Sequence, residues 1–396
     1  MKSKLKLLVI APRCDTFIKD QINVIANDST IDKVTLLVHH NHLSEIAKYL
    51  PLEGYLSHVR RFTKENLIGN WDDKPENVKT HIISTPYFIP DMKNWRLGDK
   101  VFKKFDKFIQ NEKIEFDLIH AHFTWPSGYV GLKLNKKFNV PIVITIHENR
   151  DWFIEEYNSK NKKIYWTWRN ADALIRVNKK DIALLKEFND NVFFVPNGFN
   201  PKKFFAMERT NACKILGLPH GKRIVFSFGN LIERKGFHYL IDAINDVAKF
   251  RKDVLCIIGG EGFMKRKLEE KIQKLGLNDY VKLIGFVPDD KIVYWLNAAD
   301  MFAFPSLAES FGLVVIEALA TGLPVVATYN GGSEEIITSE AYGFLVEPAN
   351  TKELTEKIFI SLDKEWDSEK ILEYAGRFRW EDIVEEILKV YEGVLK

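Results

Sequence analysis

Three cysteines in 396 residues, Cys14, Cys213 and Cys256, are odd in number and far apart. That spacing supports neither a disulfide framework nor a zinc cluster, and a reducing, cytoplasmic home is expected. Apolar runs are short throughout. None approaches the roughly 18–20 residues of a membrane span. The run that follows the basic start, Leu7 to Ala11, is too brief for a signal-peptide core and is expected to be a first strand. No Asp-x-Asp occurs, which removes the commonest carboxylate route to a catalytic Mg²⁺ or Mn²⁺ ion. A P-loop and a Gly-x-Ser-x-Gly elbow are missing, and no Gly-x-Gly-x-x-Gly follows the first strand, which counts against a dinucleotide site. Short-period repeats and low-complexity tracts are absent too.

What is present reads as a soluble two-domain protein, 46% hydrophobic and 28% charged. The net charge of +3 hides a division: residues 1–200 hold 31 Lys+Arg against 24 Asp+Glu, residues 201–396 hold 26 against 30. A basic first half suits an anionic neighbour, either a phosphorylated acceptor or the inner face of a membrane touched peripherally; a lysine-rich solvated surface is the plain alternative.

Short apolar runs alternate with helix-period segments along nearly the whole chain, the pattern of parallel βαβ units. Strands are expected at Leu5–Ile10, Val34–Val38, His81–Ser84, Leu118–His122, Ile142–His147, Ala173–Val177 and Val192–Val195. The series restarts with Ile224–Phe228, Val254–Ile258, Val281–Ile284, Met301–Phe304, Val325–Ala327 and Phe344–Val346. Helices are expected at Thr16–Ala26, Gly98–Gln110, Lys179–Glu187 and Phe263–Lys274, with an amphipathic tail over Trp380–Leu395 that sets Ile383, Ile387, Val390, Tyr391 and Val394 at helical spacing. The polar stretch from Pro196 to about Pro219 is the best boundary. Two doubly wound sheets joined near residue 200 follow, with ligands at the strand carboxyl ends.

Four segments of the second half carry candidate chemistry. In Pro305-Ser-Leu-Ala-Glu-Ser-Phe-Gly-Leu-Val-Val-Ile-Glu317, a strand ends, a loop carries Glu309, Ser310 and Gly312, and a helix is expected to open near Phe311. Amides at Phe311, Gly312, Leu313 and Val314 would suit a diphosphate, and Glu317 a ribose or sugar hydroxyl. In Gly229-Asn-Leu-Ile-Glu-Arg234-Lys235-Gly236, adjacent cations follow a strand. Arg brings a planar fork and Lys a point charge, both suited to a departing diphosphate. Gly259-Gly260-Glu261-Gly262 permits close backbone approach to a nucleotide, and Phe286 and Val287 end another strand where a base edge would lie. Taken singly, each segment is also what an ordinary solvated loop looks like.

In the first half, His120-Ala-His122 and Thr145-Ile-His147-Glu148 close apolar strands where active-site residues gather in open α/β sheets. His120 and His122 share a side of their strand, but no third metal ligand follows at suitable spacing, and no metal is expected. His39-His40-Asn-His42 reads as a polar strand end. The helix Gly98–Gln110 sets Val101, Phe105 and Ile109 against Lys100, Lys103, Lys104 and Lys107; its place inside the alternation favours core packing over lipid. The aromatic loops Gly54–Trp71 and Tyr87–Trp95 are freer to face an acceptor or lipid.

Jointly these segments resemble glycosyltransferase family 4, retaining transferases of the GT-B fold: two Rossmann-like domains facing a central cleft. The most specific match is Glu-x7-Glu, Glu309 and Glu317, supported by Arg234-Lys235-Gly236, Val195-Pro-Asn-Gly198, His120-Ala-His122 and Phe378-Arg-Trp380. The resemblance implies an acceptor-binding domain over 1–200 completed by a crossing helix at about 378–396, and a nucleotide-sugar domain over 201–377. It implies a polysaccharide- or glycolipid-building hexosyltransferase that moves sugar from a UDP- or GDP-sugar to a glycan, lipid-linked or small-molecule acceptor. No cofactor, metal or nucleic acid is expected to take part. Arg234, Lys235, Glu309 and His122 would be catalytic; Gly229, Gly260, Phe286, Val287, Ser310, Phe311, Gly312, Leu313, Val314 and Glu317 would hold the donor. Two departures stand out. Ala11-Pro-Arg13-Cys replaces the usual Gly-Gly loop after the first strand, and Asn230 replaces an arginine after Gly229. A non-catalytic nucleotide-sugar-binding protein of the same fold is the alternative function, and an NAD-dependent oxidoreductase a weaker one.

Overall fold

The computed structural model describes residues 4–14, 16–47, 62–86, 95–219 and 221–396. It divides into two compact units, residues 1–197 with 380–396, and residues 198–379. Of the aromatic stretches expected to face an acceptor, residues 54–61 and 87–94 lie outside the described residues, while Phe62, Trp71 and Trp95 pack against the cores of the first unit instead, because their rings cover apolar surface there.

The first unit is built on seven parallel strands: β1 Leu5–Ala11, β2 Ile31–His40, β3 Val78–Ser84, β4 Leu118–His122, β5 Ile142–Ile146, β6 Ala173–Arg176 and β7 Val192–Phe194. Their order is β3-β2-β1-β4-β5-β6-β7, so the winding reverses between β1 and β4. Successive side chains of a strand point to opposite faces, and β1 uses both. Leu7 and Val9 join one buried layer with helix Thr16–Asn27 and the tail helix Trp380–Val394. Leu8 and Ile10 join the other, with helices Leu97–Asn111 and Tyr129–Phe138. Strands covered on both faces read as continuous apolar runs, as these do. In the tail helix Trp380, Ile383, Val384, Ile387, Val390 and Tyr391 are buried, a stripe at helical spacing that lies on Thr16–Asn27. Val101, Phe105 and Ile109 of Leu97–Asn111 are likewise buried, so that helix spends its apolar face in the core.

The second unit repeats the plan with six parallel strands: β8 Arg223–Phe228, β9 Val254–Gly259, β10 Val281–Gly285, β11 Met301–Phe304, β12 Val325–Thr328 and β13 Gly343–Val346. Their order is β10-β9-β8-β11-β12-β13, reversing between β8 and β11. Helices Phe237–Phe250 and Thr351–Asp363 cover one face through Leu240, Ile244, Leu354 and Ile358. In such sheets the crevice for a ligand opens at the carboxyl ends of the strands flanking the reversal.

Candidate active site

Both strands flanking the reversal in the second unit end in candidate chemistry. After β8 the chain passes Gly229 into a short 3₁₀ turn, Glu233–Lys235, that closes on Gly236. After β11 it passes Pro305 to Glu309 before helix Leu313–Leu319. The two loops are tied together by backbone: the Leu307 amide donates to the Arg234 carbonyl at 2.7 Å. Gly236 is required at this junction. Its φ is +67°, and a Cβ there would lie 2.0 Å from the Pro305 carbonyl oxygen. Gly260 is held just as tightly, at φ +141° with a Cβ position 1.8 Å from the Gly229 oxygen, and its amide donates to the Gly285 carbonyl at 2.6 Å. The ends of β8, β9 and β10 are thus locked by backbone-to-backbone contact.

Charge converges on one atom in this crevice. Glu309 Oε1 lies 2.6 Å from Lys235 Nζ and 3.0 Å from Arg234 Nη1, and it accepts from Ser306 Oγ at 2.6 Å. Arg234 also donates to the Ala308 carbonyl. Burial pushes the Glu309 carboxyl up, but Lys235 and Arg234 outweigh it and hold the carboxyl below its ordinary value. Side-chain exposures of 13% for Lys235 and 12% for Glu309 mean that water screens the pair little. The Lys235 ammonium also stands 5.0 Å over the Phe304 ring, and its stem passes the Gly229 backbone. Two cations sharing one carboxylate leave a net positive charge where an anion would dock.

Around this centre, Gly312 at φ +98° starts Leu313–Leu319, and Glu317 lies half-buried within that helix. Phe311 is buried and packs edge-on against Phe378. Phe286 is 70% exposed whereas Val287 is buried against Gly259.

The first unit places a layer of histidines at the ends of β4 and β5. Register pairs His122 with Thr145. The Tyr391 hydroxyl lies 2.6 Å from His120 Nδ1, and His120 Nε2 lies 2.7 Å from Thr145 Oγ1. His122 Nδ1 lies 3.0 Å from His147 Nε2. Burial pulls the imidazoles of His120 and His147 well below the ordinary value and that of His122 down to about 3. All three are neutral at physiological pH. Beside them Arg176, wholly buried, donates to Asp181 Oδ2 at 2.6 Å and to the carbonyls of Ile146 and Glu148. Glu148 Oε1 accepts from the Thr124 amide at 2.6 Å; burial lifts the carboxyls of both Glu148 and Glu156.

Two family descriptions match this chain: Glycosyl transferases group 1 over residues 208–379, and Glycosyltransferase Family 4 over residues 40–203. D-inositol 3-phosphate glycosyltransferase of Corynebacterium urealyticum is 30% identical over 313 residues, 72% of this chain and 74% of that protein. The chain belongs to glycosyltransferase family 4. It is a glycosyltransferase that uses a nucleotide-sugar donor. Among solved structures, sucrose-phosphate synthase from Thermosynechococcus elongatus aligns over 99% of both chains with a TM-score of 0.78 at 22% identity. The Anabaena protein HepE in complex with UDP-glucose aligns over 98% of this chain and 100% of that one, TM-score 0.70, 20% identity. Both share the GT-B fold of this glycosyltransferase.

Of the residues singled out from sequence, Arg234, Lys235 and Glu309 touch directly, and Gly229 and Gly260 are brought together by backbone. His122 lies in the first unit, the others in the second. Sequence reading passed over Ser306 and Asn330, which set Glu309: Ser306 through its hydroxyl, Asn330 by accepting from the Glu309 amide at 2.7 Å. It also took Tyr391 only as an apolar position of the tail helix, and it missed Arg176. A charged residue inside the apolar run Ala173–Val177 was the available signal for the latter.

Proposed function

We propose that this family 4 enzyme transfers a hexose from a UDP- or GDP-sugar to a glycan, lipid-linked or small-molecule acceptor, retaining the anomeric configuration and using no metal ion. The observation that carries the reading is the meeting of Lys235 and Arg234 on one oxygen of Glu309 at the carboxyl ends of β8 and β11. As the glycosidic bond breaks, negative charge grows on the departing diphosphate. Lys235 and Arg234 stabilise that charge in a poorly screened crevice, the term that usually dominates catalysis. Gly312, Leu313 and Val314 supply amides, Glu317 takes the ribose, and Ser310 and Phe311 line the phosphate path. Gly229 and Gly260 let the backbone approach the nucleotide, with Phe286 and Val287 at the base. Glu309 orients the donor sugar once the diphosphate draws the cations to itself, and His122 serves the sugar near its reacting face. The leaving phosphate accepts the acceptor's proton in a front-face substitution. UDP-glucose in the HepE complex supports a uridine donor.

A thermal-shift screen over UDP-, GDP- and ADP-sugars, with free nucleoside diphosphate followed in parallel, tests this. Stabilisation should grow with ligand excess over its Kd and be accompanied by diphosphate release. Stabilisation without release identifies a non-catalytic binder of the same fold; neither effect with any sugar nucleotide refutes the reading.

A further inference from the structure

His122 and His147 share one hydrogen bond, and each keeps a second ring nitrogen, His122 Nε2 and His147 Nδ1, that is buried with no partner. Their ring planes lie within 19° of parallel with centroids 5.2 Å apart. Burial keeps both rings neutral, so a single proton lies between Nδ1 of His122 and Nε2 of His147, and its side decides both tautomers. If His122 donates, His147 must carry its own proton on Nδ1. That N–H would be orphaned on a ring flanked by the rings of Phe17 and Phe123, centroids 5.1 and 5.2 Å away. The guanidinium of Arg176 also binds the carbonyls on either side of His147, Ile146 and Glu148, which disfavours a further positive hydrogen there. If His147 donates, its Nδ1 is left a bare acceptor and the orphan N–H falls instead on His122 Nε2, at the end of β4, where a ligand oxygen can meet it. At His147, enclosed by aromatic rings, a bare acceptor is tolerated more often than an orphan donor.

We propose that His147 is a positioning residue: it donates Nε2–H to His122 Nδ1 and so fixes His122 as the Nε2–H tautomer, a hydrogen-bond donor aimed at a substrate oxygen. His122 is the last residue of β4, beside the reversal of the sheet, where a ligand oxygen can complete that donor. The neighbouring ring is braced independently. His120 has hydroxyls on both nitrogens, from Tyr391 and Thr145, and its ring lies 4.4 Å from that of His122, tilted by 33°. In this arrangement His122 has no lone pair to offer the acceptor hydroxyl, so it holds a hydroxyl or phosphate oxygen rather than removing a proton. The oxygen's identity as part of a sugar nucleotide or acceptor rests on the proposed function.

The full chain, labelled with ¹⁵N-histidine and free of ligand, tests the tautomer by two-bond ¹H–¹⁵N correlation. The expected pattern is a protonated Nε2 and bare Nδ1 on both His122 and His147; a protonated Nδ1 on His122 overturns the proposal. His147→Phe keeps an aromatic ring but removes the donor. It should turn the His122 pattern into a mixture and lower kcat about tenfold, the worth of one hydrogen bond, with the donor KM little changed. His147→Gln, whose amide can donate from the same place, should restore both. An unchanged His122 pattern in His147→Phe overturns the proposal, and the wild-type spectrum decides even if that variant does not fold. A chain that shows the expected pattern yet releases no nucleoside diphosphate refutes the transferase reading while upholding the tautomer.

Discussion

Acidification should loosen the first unit through its neutral histidines. His120, His122 and His147 are buried with imidazoles far below the ordinary 6.5, and on unfolding each recovers that value. Below pH 6.5 the unfolded chain therefore binds protons that the folded chain refuses, so stability is full above 6.5 and is lost as pH falls toward the folded values, about 3 for His122. Between pH 7.5 and 5.5 each histidine costs roughly 1–2 kcal/mol, about 4 kcal/mol for the three. Glu148 and Glu156 act in the opposite sense, because carboxyls raised by burial stabilise the fold below the ordinary 4.5 and lose that contribution as pH rises through their folded values. A variant comparison isolates the histidine share. Urea unfolding of wild type and His120→Gln at both pH values, followed by tryptophan fluorescence, reads mainly this unit, which holds seven of the nine tryptophans. The gap between the two pH values should shrink by roughly 1–2 kcal/mol in His120→Gln. An unchanged gap would refute the neutral, buried assignment.

Lys235→Ala should lower turnover on the order of 10²–10³-fold, as loss of other oxyanion contacts does, while Glu309→Gln should lower turnover yet leave nucleoside diphosphate binding normal or tighter, because the carboxylate no longer competes for Lys235 and Arg234. Glu317→Ala should weaken the diphosphate itself; calorimetry showing the reverse pattern for the two glutamates would exchange their roles. Gly236→Ala forces a Cβ onto the Pro305 carbonyl at positive φ, so about 1–3 kcal/mol of stability should go together with turnover; wild-type values for both would contradict the junction drawn here. Exhaustive chelation should leave transfer intact, and activity restored only by Mg²⁺ or Mn²⁺ would overturn the metal-free reading.

The strands were the most legible part of the sequence. Leu118–His122 and Met301–Phe304 have the bounds their apolar runs gave, and the others shift by a few residues at their ends. Strands buried on both faces announce themselves because every position is apolar. Helix starts were less legible. The helix expected near Phe311 begins at Leu313, because Gly312 adopts positive φ, and Lys179–Glu187 is a 3₁₀ turn followed by the single turn Ile182–Leu185. There Asn178 accepts from the Lys180 amide and starts the tighter turn, a local competition that periodicity does not register. At the site, Arg234, Lys235 and Glu309 stood out because each lies in a short turn at a strand end. The convergence of both cations on a single Glu309 oxygen was not readable, since it depends on the long-range pairing of β8 with β11. The histidine layer was half legible: strand ends exposed His120, His122 and His147, whereas Tyr391 comes from 271 residues away and looked like one more core position.

Release of nucleoside diphosphate from sugar nucleotides under chelation, by wild type and by Lys235→Ala, is the most direct test that this crevice stabilises a departing diphosphate. Wild type should release it from at least one UDP- or GDP-sugar, and Lys235→Ala should bind that donor while releasing it at least a hundred times more slowly, the lower end of the loss estimated above at about 10²-fold. Equal release by the two proteins, or none by wild type from any donor, would contradict the account.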